Sequence, residues 1–195
     1  MLRPQDWLLL FLSLPGGQYR TDQVRLIKGL FLFAQEGPEE VRDLYHFRAY
    51  HWGPFDPEVY RDAKALVEAG LVRSERISGT TRVAYEVTTV GENRATELRA
   101  HVAPDTLQCL EEIKGLITDL QFDGVLRYVY GKYPSFSVNT MAQFARDQDR
   151  GLPNVDDVRA YIMHSPDWLE AIQEGMTEES EGRLVKAKDF FRSLK

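Results

Sequence analysis

The sequence predicts a mainly α chain with a small antiparallel β-hairpin. Its order is that of a winged helix-turn-helix domain over residues 1–100, followed by a C-terminal helical domain over residues 101–195. Three features predict this. Apolar residues recur at three- and four-residue steps up to position 69, which marks helices with one buried face. After Gly70 the period falls to two, the spacing of a strand with one face inward. From Pro104 onward helical spacing returns and persists.

Trp7, Leu8, Leu10, Phe11 and Leu14 give a first, very apolar helix that Pro15-Gly16-Gly17 ends. Thr21 is placed to cap a second helix, its hydroxyl accepting from a first-turn N–H. There Val24, Ile27, Leu30, Phe31 and Ala34 share a face, and Gly37-Pro38 stops the run. Glu39 to Leu44 reads as a short helix or turn leading into an aromatic segment, Tyr45 to Trp52. Gly53-Pro54-Phe55-Asp56-Pro57 is the sharpest punctuation in the chain. Asp56 suits an N-cap, and Pro57 the first helical position, where its missing N–H costs nothing. The helix it opens turns Val59, Tyr60, Ala63, Leu66 and Val67 inward and runs to about Ala69, with Gly70 as the left-handed residue after it. Residues 71–76 and 81–88 read as two strands joined near Ser78-Gly79, with Val83, Tyr85 and Val87 on the buried face. A polar helix from Gly91 to about Ala100 completes the first part.

In the second part, Pro104 opens a helix containing Leu107, Leu110, Ile113, Leu116, Ile117 and Leu120. Another runs from about Asp123 to Tyr133, and residues 135–139 form an extended connector after Pro134. Further helices are expected over 140–146, 155–164, 166–175 and 179–194. The Ala103-Pro104 step marks the boundary between the two parts.

Composition limits the classes of function. Hydrophobic residues are 43% and charged residues 28% of the 195, near the globular average, so a packed core rather than disorder is expected. Trp7 to Leu12 is too short to span a bilayer and lacks a signal-peptide layout, with Asp6 before it. The single cysteine, Cys109, leaves no internal disulfide and fits a reducing, cytoplasmic setting. Flanked by Leu107, Leu110 and Ile113, it reads as a buried small hydrophobe. The net charge is −6, split as −1 over residues 1–100 and −5 over 101–195. Nothing in these totals favours neutralising phosphates.

No Gly-x-Ser-x-Gly elbow, phosphate loop or dinucleotide fingerprint occurs. His46 and His51 fall on opposite faces of an extended strand, and His101 and His164 have no ligand-type neighbours. Asp147-Gln148-Asp149-Arg150-Gly151 has a calcium-loop outline without the closing Glu, and reads as a polar loop. The expectation is a protein with no catalytic residue, no cofactor and no metal.

Residues 26–34, Leu26-Ile27-Lys28-Gly29-Leu30-Phe31-Leu32-Phe33-Ala34, and residues 47–60, through Trp52-Gly53-Pro54-Phe55 to Tyr60, resemble the Panacea antitoxin-like proteins. They also resemble a related set of uncharacterised bacterial winged-helix proteins. Those families carry a K-L-L-Y-F-A helix, an aromatic-Gly-Pro step into a helix, and a Gly-Leu-Ile strand start, here Gly70-Leu71-Val72. The likeness covers about residues 20–90, and residues 126–134 resemble the C-terminal helices of the uncharacterised set. The resemblance implies a bacterial or phage protein that neutralises a partner toxin by direct protein contact, with no cofactor. It makes Gly53 and Pro54 a structural turn. The acidic C-terminal half is not part of that pattern.

Three surfaces are candidate sites. The helix from Asp56 to Ala69 would be the recognition helix of a DNA reader. Asp56 and Glu58 then sit where phosphates approach, which opposes such docking; the plain alternative is a solvated face. The wing carries Arg73, Arg76 and Arg82, opposed there by Glu75 alone. These arginines suit backbone contact with nucleic acid, or serve to keep an edge soluble. The aromatic run Tyr45, Phe47, Tyr50, His51, Trp52 and Phe55 has three readings: core filling, a protein interface, or a base-stacking platform. As an interface it takes Tyr50, Trp52, Phe55 and Tyr60. The functional expectation is a non-enzymatic binding protein acting on a protein partner, antitoxin-like or a defence or regulatory accessory. The alternative is a DNA-binding regulator using the wing and the third helix, dimeric through the C-terminal helices.

Overall fold

A computed structural model of the chain describes residues 2–15, 21–80 and 82–140. The helices expected over 140–146, 155–164, 166–175 and 179–194 lie beyond position 140, outside the described residues, as does the loop at 147–151. The described part is mainly helical with small antiparallel sheets. It runs α1 (Pro4–Ser13), β1 (Thr21–Asp22), α2 (Gln23–Glu36), β2 (Arg48–Tyr50), β3 (Gly53–Phe55), α3 (Pro57–Glu68), β4 (Val72–Arg76), β5 (Val83–Val87), α4 (Thr89–Arg99), α5 (Pro104–Asp119) and α6 (Phe122–Lys132). One sheet has the order β1-β5-β4 and the other pairs β2 with β3.

The first helix is buried all round. Leu8, Leu9, Leu10 and Phe11 are each at most 1% exposed, as an all-apolar helix requires. The Phe11 ring meets α2 at Gly29, where a Cβ would come within 2.2 Å of it. One apolar cluster then continues through Leu30 and Phe31 of α2, Val59 and Leu66 of α3, and on to Leu110, Ile117, Val125 and Val129. Residues on both sides of position 100 therefore share a core.

Several local signals act as the sequence predicts. Asp56 caps α3 by accepting from the Glu58 N–H at 2.9 Å. Gly70 takes a φ of +71° after α3. Others differ. Asp22, not Thr21, caps α2, accepting from the Val24 and Arg25 N–H groups at 2.9 Å. Thr21 instead pairs across to Tyr85 in the sheet. Thr88 caps α4, which therefore starts two residues before Gly91. The connector after Pro134 is a 3-10 turn over Pro134–Phe136, not extended chain. Gly53-Pro54-Phe55 is a strand as well as a break, so the chain holds a second hairpin. Cys109 is half-buried against the core, and burial raises its thiol pKa.

Buried charge fixes how α5 meets α2. Arg25 is 5% and Asp22 3% exposed, and they pair at 3.0 Å. The Arg25 guanidinium also donates to the Ile117 carbonyl at 3.1 Å and the Leu120 carbonyl at 2.8 Å. These carbonyls end α5, where a cation meets the negative end of the helix dipole. Lys114 of α5 reaches back to the Thr21 hydroxyl and lies 4.8 Å from the Phe11 ring centre.

Candidate functional site

The aromatic run divides between interior and surface. Tyr45 is buried, its hydroxyl donating to Asp62 at 2.8 Å. Phe47 packs edge-on to Phe31 at 5.4 Å. Beyond them the chain turns over at His51-Trp52 between β2 and β3, with Tyr50 opposite Gly53. Tyr50 is 50% and Trp52 45% exposed. Of the four residues expected as an interface, Tyr50, Phe55 and Tyr60 are linked by ring contacts and Trp52 stands against Phe122; Phe55 and Tyr60 are half-buried, Tyr50 and Trp52 exposed. Tyr50 stacks on His51 at 4.3 Å and on Phe55 at 5.2 Å, and Phe55 meets Tyr60 at 5.5 Å. Trp52 stands edge-on to Phe122 at 6.1 Å.

The hairpin is held from several sides. The His46 N–H donates to the free Oδ of the capping Asp56 at 2.6 Å. The Lys28 ammonium, 3% exposed, donates to the Pro54 carbonyl at 2.8 Å. Burial alone depresses the Lys28 pKa to about 7. Gly53 has a φ of +85°, and a Cβ on it would stand 2.5 Å from the Tyr130 ring. On the outer edge, the Asn139 amide donates to the Ala49 carbonyl at 3.2 Å and the Thr140 hydroxyl to the His51 carbonyl at 3.3 Å.

The hairpin is also the opposite of the molecule in charge. Residues 45–55 contain Arg48, His46 and His51 and no carboxylate, within a chain of net charge −6. Arg48 is exposed and has no ion pair among the described residues.

The chain matches no family model, no curated protein and no solved structure.

The three wing arginines are separated in role. Arg73 makes a fork to Glu86 at 2.7 and 3.0 Å, the residue directly across the sheet. Arg82 lies 3.5 Å from Asp22 and 5.1 Å above the Phe122 ring. Arg76 is exposed without an ion pair among the described residues. At the start of α3, Asp56 is buried and used as a cap, while exposed Glu58 pairs with Arg61.

Lys28, Phe122, Asn139 and Thr140 were not singled out from the sequence. Lys28 carried a signal, since a lysine between Ile27 and Gly29-Leu30 falls on an apolar helix face. The other three join the hairpin from far along the chain. Among the described residues, no group of three or more His, Cys, Asp or Glu side chains is placed to hold a metal ion. None of the described helices is long and apolar enough to cross a membrane.

Proposed function

We propose that this chain is a non-enzymatic cytoplasmic binding protein on a winged-helix scaffold, and that the β2–β3 hairpin is its contact surface for a protein partner. The partner relation is that of an antitoxin or a defence accessory in a bacterium or phage, as the resemblance of residues 20–90 implies. Three helices followed by the β4–β5 hairpin, with β1 from between α1 and α2 as the third strand of its sheet, support the scaffold. One observation carries the contact surface: two large aromatics stand out into solvent on a hairpin that is tied down by a buried lysine, a helix cap and a glycine contact. Tyr and Trp anchors dominate interface energetics, and a prefixed loop spends little entropy on binding.

The test is affinity purification of the tagged chain from its native host, beside a Tyr50→Ala/Trp52→Ala variant. A partner held by the wild type should be lost from the variant. Hot-spot truncation of about 2 kcal/mol per residue weakens binding roughly thirtyfold each. Equal recovery of the same proteins by both forms would refute the assignment.

A second reading, DNA binding through the wing and α3, is favoured by Arg76 alone. Arg73 and Arg82 are already engaged with Glu86 and Asp22. A retarded duplex at low salt that Arg76→Ala weakens on every sequence would support it.

A further inference from the structure

We propose that the acidic stretch 156–181 of this same chain docks on the β2–β3 hairpin and competes there with the outside partner. The inference rests on the hairpin being the contact surface, and it adds how that surface is regulated.

The first argument is where the chain goes. Asn139 and Thr140 donate to the carbonyls of Ala49 and His51, on either side of exposed Tyr50. Thr140 also shares a 2.8 Å hydrogen bond with Tyr130, the residue under Gly53. The described chain therefore ends at the hairpin itself, at Thr140. Fifteen residues, 141–155, separate Thr140 from the acidic stretch, enough for about 50 Å of chain at full extension. Being joined to the surface by so short a stretch of the same chain, the segment meets it at an effective concentration on the order of millimolar. A weak contact suffices to fill the surface under those conditions.

The second argument is chemical fit. Residues 156–181 hold eight Asp and Glu against one Arg, interleaved with Tyr161, Ile162, Trp168, Leu169 and Ile172. The hairpin offers exposed Tyr50 and Trp52 beside Arg48, and no carboxylate between 45 and 55. Phe122, the ring that Trp52 stands against, extends the aromatic surface beside Arg48. An acidic segment studded with aromatics matches both the charge and the apolar character of this patch.

The experiment places a benzophenone amino acid at position 50 of the full chain. The purified protein is irradiated at low concentration, digested, and mapped by mass spectrometry. The expected result is an intrachain adduct to residues 156–181. Arg48→Glu should lower its yield about twofold to fivefold, the size of an exposed ion pair. Neutralising Asp156, Asp157, Asp167 and Glu170 to their amides should do the same, and should tighten partner binding. Adducts only between chains, only elsewhere in the chain, or none would overturn the inference. A partner recovered through Tyr50 and Trp52 with no 156–181 adduct removes this inference and leaves the proposed function standing. An adduct with no partner does the reverse.

Discussion

Lys28 links the interior to the exposed hairpin, and it does so at a cost. Its ammonium is buried with one acceptor, the Pro54 carbonyl, so the charged form is poorly solvated. The folded pKa is about 7 against 10.5 for the free side chain. Between those values the unfolded chain holds more protons than the folded one, so stability rises with pH across that window. Lys114, depressed to about 8 by burial, acts in the same direction. Burial, first of all, raises the hydroxyls of Tyr45, Tyr60 and Tyr133 above the ordinary tyrosine pKa of 10. Their stabilisation is present below pH 10 and is lost above it, so the lysine effect stands clear up to about pH 9. The urea midpoint should therefore increase from about pH 7 to about pH 9, and Lys28→Met should reduce that increase. Equal increases in the two proteins would contradict the burial of Lys28. Asp22 is the second critical residue. It caps α2 and is the carboxylate between Arg25 and Arg82. Asp22→Ala should destabilise by about 3 kcal/mol or more, read by denaturant unfolding, because it removes the anion beside a buried guanidinium. Thr21 looked like the cap from sequence because either residue suits that position. Both residues lie in β1, but the Thr21 hydroxyl accepts from Lys114 and the Asp22 carboxylate from the Val24 and Arg25 N–H groups, and Lys114 stands 93 positions along the chain from Thr21.

At the scale of elements, local chemistry was legible and distant chemistry was not. Asp56-Pro57 and Gly70 announce the ends of α3 with no help from the rest of the chain. The β2–β3 hairpin did not announce itself. Pro54 reads as a breaker because it lacks an N–H, yet its carbonyl is held by Lys28 from another helix. The wing shows the same limit: Glu86 neutralises Arg73 only once the register places them opposite each other. The candidate contact residues Tyr50, Trp52, Phe55 and Tyr60 were visible as an aromatic run, whereas its division into core and surface came from packing against Phe31 and Phe122. Glycines give a test at this scale. Gly53 and Gly70 both have positive φ, but a Cβ at Gly70 would have nothing within 4 Å while one at Gly53 would strike Tyr130. Gly70→Ala should cost about 1–2 kcal/mol from backbone strain. Gly53→Ala should cost more, with a melting temperature lower than that of Gly70→Ala by about 2 °C or more. Equal losses would mean that Tyr130 does not brace the hairpin.

For the whole molecule, one core joins α1 to α6, and every described helix contributes to it. The packed interior allows little relaxation around a lost side chain. Leu30→Ala, fully buried at the centre, should cost about 2–5 kcal/mol in chemical denaturation. It should weaken partner binding only through the folded fraction, unlike Tyr50→Ala or Trp52→Ala. The molecule thus separates a rigid body from a small presented surface of opposite charge character. The direct measurement is photo-crosslinking in the native host with a benzophenone residue at position 50, beside a control at Val90, which is 62% exposed on α4. A discrete protein adduct at position 50 that is absent at position 90 is the predicted result. No adduct at 50, or the same adducts at both positions, would contradict the hairpin as the partner surface.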